Sequence, residues 1–148
     1  MDNVRALKEI FLFKDVEESV LRLVAQAAEQ REFPPGDTLV TESQTPPGLF
    51  LIRSGTVKVT REGGKVPVTF GSGEALGAVS FLDGGPAGMT AEALERVEGL
   101  LLRPQKVGEK LAADPKAAAQ FYQAVARSLA GRLRRAADLV AASRKTQG

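Results

Sequence analysis

Residues 70–94, FGSGEALGAVSFLDGGPAGMTAEAL, constrain this chain more than any other stretch. Glycines at 71, 73 and 77 punctuate a turn. The run Ala78, Val79, Ser80, Phe81, Leu82 has room for about one helical turn. Gly84, Gly85 and Pro86 then break the chain, and Thr90 to Leu94 returns to an extended, half-apolar pattern. A glycine turn that opens onto a helical start presents free backbone N–H groups, and these suit an anion. The stretch therefore reads as a cradle set between strands.

The sequence before it is strand-like from Glu32 onward. Phe33-Pro34-Pro35-Gly36-Asp37 is a turn, and Thr38-Leu39-Val40-Thr41-Glu42 a strand. Thr45-Pro46-Pro47-Gly48 is a second turn, and Leu49-Phe50-Leu51-Ile52 a buried strand. Thr56-Val57-Lys58-Val59-Thr60 alternates, with Val57 and Val59 inward. Glu62-Gly63-Gly64-Lys65 closes a hairpin onto Val66-Pro67-Val68-Thr69-Phe70. Val97-Glu98-Gly99-Leu100-Leu101-Leu102 supplies the last strand. Short strands at roughly ten-residue spacing, joined by Gly/Pro turns, predict an antiparallel barrel or jelly roll.

Helices flank this β region. Residues 3–13 read as a short helix, with Asn3 as N-cap and Val4, Leu7, Ile10 and Phe11 on one face. Asp15 caps a second helix, striped by Val16, Val20, Leu23, Val24 and Ala27. Pro104 starts a short helix. Asp114-Pro115 starts a long one that runs to about Ala142. Along it Ala119, Tyr122, Ala126, Leu129, Leu133, Ala136 and Val140 alternate spacings of three and four, an a/d heptad seam. Phe121 and Val125 lie on another face, suited to packing on the barrel. The seam either pairs with a partner helix or packs on the chain's own barrel.

The central stretch resembles the phosphate-binding cassette of the cyclic-nucleotide-binding domain family. That pattern runs Gly-Asp/Glu-x-x-Gly-Glu-Leu/Ile-Ala-Leu, a turn, then Pro-Arg-Thr/Ser-Ala-Thr. Gly73-Glu74-Ala75-Leu76-Gly77 fits the first part, and Pro86 with Thr90-Ala91-Glu92-Ala93-Leu94-Glu95 fits the second. The resemblance covers roughly residues 8–142. It implies a mainly β fold with flanking α-helices: a double-stranded β-helix (jelly roll) barrel plus a long C-terminal helix through which dimers form. The domain plan that follows is 1–31 N-terminal helices, 32–103 barrel with the cassette at 70–94, 104–142 C-terminal helices and 143–148 tail. Two departures fall on the ligand positions. The family glutamate that holds the ribose hydroxyl corresponds to Ala78, and the arginine that pairs the cyclic phosphate to Ala87. Gly88 and Met89 follow in place of Thr/Ser and Ala.

Composition removes whole classes of chemistry. There is no cysteine and no histidine, so thiolate and imidazole metal sites and histidine-based triads are excluded. The carboxylates are scattered over turns and helix starts, with no catalytic constellation. No apolar run reaches membrane-span length, and the charged start does not read as a signal peptide, so a cytoplasmic protein is expected. The net charge of +2 hides an asymmetry: residues 127–148 carry Arg127, Arg132, Arg134, Arg135, Arg144 and Lys145 against Asp138 alone. Without a recognition helix or interleaved aromatics, this stripe reads as a solvated face and argues against nucleic-acid binding.

The expectation is a non-catalytic regulatory domain. In the first reading it is a homodimerising interaction module, or partner of an effector protein, with lost or weakened cyclic nucleotide (cAMP/cGMP) binding. In the alternative it is a small-molecule sensor, for cAMP/cGMP or a less anionic ligand. No cofactor or metal is called. The candidate pocket is Leu76, Gly77, Ala78, Val79, Ser80, Ala87, Gly88, Met89 and Thr90. Arg53, Arg61 and Arg103 are candidates to replace the missing arginine.

Overall fold

A computed structural model describes residues 2–61, 64 and 66–147. Two four-stranded antiparallel sheets form the body. The first has the order β1 (Ala28–Phe33), β8 (Val97–Leu102), β3 (Leu49–Ser54), β6 (Ala75–Leu76). The second has β2 (Thr38–Val40), β7 (Thr90–Ala93), β4 (Val57–Thr60), β5 (Val68–Phe70). This is the expected jelly-roll arrangement with a long last helix. Helices α1 (Asn3–Lys8), α2 (Glu18–Ala25), α4 (Pro104–Leu111) and α5 (Pro115–Gln147) flank it, and α3 (Ala78–Asp83) sits inside the cassette.

Side-chain alternation along β3 explains the layering. Phe50 and Ile52 turn toward the second sheet and share a core with Val57, Val59, Ala91 and Val97. Leu49 and Leu51 turn the other way, and with Leu100 and Leu102 they pack against Leu7, Phe13, Leu21, Val24 and Phe121. The first sheet is thus covered on both faces, which is why β3 and β8 read as nearly continuous apolar runs. Gly99 in β8 is required by this stacking: a Cβ there would lie 2.1 Å from the Leu51 carbonyl oxygen and 2.7 Å from the Phe50 ring.

Several boundaries differ from expectation. The helix expected over residues 3–13 is split, with α1 ending at Lys8 and a 3-10 turn at Phe11–Phe13. Its N-cap is Asp2, whose Oδ1 accepts from the Val4 N–H at 2.9 Å. The second helix starts at Glu18 with Glu17 at the cap position, not at Asp15. The barrel begins at Ala28 rather than residue 32, because β1 pairs along its whole length with β8, from Ala28 opposite Leu102 to Phe33 opposite Val97. The last helix does not stop near Ala142 but continues to Gln147. Its start is as expected: the Asp114 carboxylate accepts from the Ala117 N–H at 3.1 Å. Of the expected hairpin turn, Glu62, Gly63 and Lys65 lie outside the described residues; β4 and β5 on either side pair from Val57 opposite Phe70 to Val59 opposite Val68.

Candidate ligand pocket and the faces of the last helix

The cassette is assembled by local hydrogen bonds. Gly77 takes φ +89° where the chain turns from β6 into α3, a conformation that favours glycine. Ser80 Oγ donates to the Pro86 carbonyl at 3.1 Å. The returning segment is held by the Ala87 N–H on the Gln44 carbonyl at 2.9 Å and the Gly88 N–H on the Glu42 carbonyl at 3.0 Å. Thr90 Oγ1 accepts from the Glu42 N–H at 3.2 Å. The Ser80 hydroxyl proton is therefore engaged within the fold, whereas the Thr90 hydroxyl serves there as an acceptor.

These turns border a half-open cavity of about 60 Å³. Leu76, Gly77, Ala78, Val79, Ser80, Ala87 and Met89 line it; Gly88 and Thr90 do not. Val59 and Phe70 complete its apolar wall, and Arg61 and Arg132 bring charge to it. Ala78 is 2% exposed and, like Ala87, carries no charge into the space. A volume of this size holds a few waters, against roughly 300 Å³ or more for a typical small-molecule site.

Arg132 was not among the sequence candidates. Its guanidinium donates to the Ala75 carbonyl at 3.1 Å and lies 6.0 Å from the centroid of the Phe70 ring. Burial lowers its pKa; the Glu74 carboxylate opposes that shift, and Arg135 and Arg61 add to it. A signal for it exists in the helical period. Phe121 and Val125, both buried, define the inner face of α5, and one heptad beyond Val125 is Arg132. Of the three arginines considered earlier, only Arg61 lines the cavity. Arg103 donates to Glu29 at 2.6 Å, and Arg53 Nε is buried without a hydrogen-bond partner among the described residues.

The seam on α5 is a separate feature. Tyr122, Ala126, Leu133, Ala136 and Val140 are exposed; Leu129 is half-buried against the helix-side core. Leu133 and Val140 are 71% and 53% exposed. Leu139, outside the seam, is also 71% exposed. From Leu133 to Arg144 every residue is exposed, so this part of the helix extends past the body. No helix among the described residues is long and apolar enough to cross a membrane.

Residues 30–114 match the model of the cyclic nucleotide-binding domain. A CRP-like cAMP-activated global transcriptional regulator of Mycobacterium tuberculosis is 27% identical over 144 residues, covering 95% of this chain and 63% of that protein. The potassium channel AKT2 of Oryza sativa subsp. japonica is 26% identical over 114 residues, 74% of this chain and 13% of the channel. The chain thus spans under two thirds of either relative. The crystal structure of Thermus thermophilus catabolite activator protein superposes with a TM-score of 0.73 at 28% identity, over 88% of this chain and 62% of that one.

Proposed function

The chain belongs to the cyclic nucleotide-binding domain family, and from that premise we propose that it is a non-catalytic regulatory module that pairs with a second copy through α5 and holds cyclic nucleotides weakly. One regulatory domain across residues 1–148 is part of this reading. The observation that carries it is the apolar seam on α5, unpaired in the single chain and continued past the body by Leu133 and Val140. Burying such a stripe against its symmetry mate removes apolar area from water, about 25 cal/mol per Å².

The weak hold follows from Ala78 and Ala87. Losing an arginine from a buried charge pair costs about 2–5 kcal/mol. Losing a hydrogen bond to a carboxylate costs roughly 1.5–3 kcal/mol. Each 1.4 kcal/mol is about tenfold, so even partial losses carry a micromolar site toward millimolar. Sedimentation over a range of concentrations tests the pairing, with Leu133→Glu/Val140→Glu expected to be monomeric; a wild-type chain that stays monomeric throughout overturns it. Calorimetric titration with cyclic AMP and cyclic GMP, with 5′-AMP as control, tests the pocket. Micromolar binding selective for the cyclic forms removes the claim of a weak hold.

A second reading, a ligand sensor, is favoured by one observation: two guanidinium groups, Arg61 and Arg132, border the cavity although the cassette contributes none.

A further inference from the structure

The N-terminal 3-10 turn, Phe11–Phe13, and the loop after it do not close flush against α5. Between them lies a half-open cleft of about 410 Å³, against about 60 Å³ at the cassette. On the α5 side the lining is Ala124, Ser128 and Gly131, whose small side chains leave space that larger residues would fill. The facing segment supplies Leu12, Val16 and the Phe11 ring, which is 64% exposed. Phe11 is fixed in that exposed position by its backbone. Its N–H donates to the Gly73 carbonyl at 2.9 Å, and its ring lies 2.7 Å from where a Cβ on Gly73 would stand.

The charges around this cleft are one-sided. Lys14, Arg127 and Arg135 border it, and Asp15 is the one carboxylate among its lining residues. None of these four takes part in an ion pair among the described residues. Arg135 folds back on Gly131, with Nη1 3.5 Å from the place of a Cβ there, which keeps its guanidinium at the cleft. The basic stripe of α5 is therefore not one uniform solvated face. Arg132 is turned to the cassette, while Arg127 and Arg135 serve the space beside the 3-10 turn.

We propose that this cleft binds an amphipathic aromatic anion: a flat apolar body carrying one carboxylate or sulfonate, the body against Phe11, Leu12 and Val16 and the acidic head on Arg127, Arg135 and Lys14. The volume lies within the range of small-molecule clefts, roughly 300–1,000 Å³. Planar bodies stack on aromatic rings and on guanidinium groups, and the guanidinium fork matches two oxygens of an acidic head at once. Because Phe11 belongs both to the cleft and to the packing over Gly73, an occupant borders the cassette without entering it. The inference goes beyond the module proposed above and does not rest on pairing. At 3.6 residues per turn, the stripe from Ala124 to Arg135 and the seam through Leu129, Leu133 and Val140 stand roughly 160° apart around α5. A partner helix on the seam therefore leaves the cleft open.

The test titrates the full chain with 2-naphthoate, by calorimetry and by backbone amide chemical shifts, with 2-naphthalenemethanol as the neutral analogue. Wild type, Arg22→Gln (a control on an exposed arginine) and the seam variant Leu133→Glu/Val140→Glu are expected to bind naphthoate saturably. The amides of Leu12, Val16, Ser128 and Gly131 are expected to shift, and the neutral analogue to bind several-fold more weakly. Gly131→Leu fills the cleft and is expected to weaken naphthoate at least tenfold. It is expected to fold, since leucine favours a helix over glycine and a Cβ there meets the Arg135 side chain at an ordinary 3.5 Å. Arg127→Gln/Arg135→Gln is expected to weaken naphthoate several-fold and leave the neutral analogue unchanged. No saturable binding at millimolar naphthoate overturns the proposal. So do amide shifts confined to the cassette or the seam, a neutral analogue that binds as tightly, or a Gly131→Leu chain that titrates like wild type. If Gly131→Leu does not fold, the double arginine variant decides: unchanged naphthoate binding there overturns the site.

Discussion

Ala78 and Ala87 both line the cassette cavity, one at the first residue of α3 and one on the segment pinned to Gln44. Restoring charge at both positions is the direct test of what they do. Ala78→Glu with Ala87→Arg is expected to raise affinity for cyclic AMP at least tenfold in calorimetry, since each restored charged contact supplies roughly 1.5–3 kcal/mol. Ala78→Glu alone is expected to bind no better and to destabilise the chain, because it buries a carboxylate at a position 2% exposed. A double variant that gains nothing means that the cavity stays closed around its new side chains. These two positions were legible in the sequence because the cassette is local: its turns, its short helix and its register lie within twenty-five residues. Arg132 was not, since it reaches the same cavity from another element. Only the packing of α5 against the body brings it there. Gly88 and Thr90 illustrate the opposite error. They are adjacent to lining residues in sequence, but their polar groups are bonded to Glu42 and they lie off the cavity wall.

At the scale of elements, α5 has two jobs on two faces, and substitutions separate them. Phe121 packs against Phe13 at 5.7 Å and Phe81 at 6.0 Å between ring centroids, joining the N-terminal 3-10 turn, the cassette helix and α5. Phe121→Ala is expected to cost about 3–5 kcal/mol, lowering the melting temperature of a chain this size by about 10 °C. Leu133→Ala is expected to leave the melting of the dilute chain nearly unchanged, within about 0.5 kcal/mol, because the side chain is 71% exposed. Its effect belongs to association. A Leu133→Ala chain that melts as low as Phe121→Ala would show that the outer face is packed after all. The two-faced helix was readable because heptad spacing depends on the helix alone. Strand β1, Ala28–Phe33, was not readable. Its sequence AEQREF carries no apolar alternation, and it is a strand because β8 offers its backbone a full ladder. β6, two residues long, depends in the same way on pairing with Phe50 and Leu51 of β3.

For the whole molecule, ion pairs that tie elements together shape the response to acid. The Glu29 carboxylate on β1 accepts a hydrogen bond from Arg103 at 2.6 Å, and this holds its pKa below the usual 4.5. Glu18 is lowered likewise, first by its hydrogen bond from Lys8, which ties α1 to α2. A carboxyl that ionises more readily when folded stabilises fully above its unfolded value, and that stability is lost as pH falls through 4.5 and below. Urea midpoints should therefore drop between pH 6 and pH 3.5, and by less in Glu29→Gln; an equal drop would assign the acid response to other groups. The far half of α5 calls for a different measurement. Residues 133–144 are all exposed in the single chain, so this stretch rests chiefly on intrahelical bonds and an already nucleated helix. Helical segments of about a dozen residues are marginal in water without packing. Backbone amides there should exchange with solvent quickly in dilute protein, and protection should climb with concentration as seams pair. In Leu133→Glu/Val140→Glu the same amides should stay unprotected at every concentration, while those near Phe121 and Val125 remain slow in both chains. Equal protection of residues 133–144 at all concentrations would mean that this helix is stable on its own, and the exposed seam would then lose its claim to need a partner.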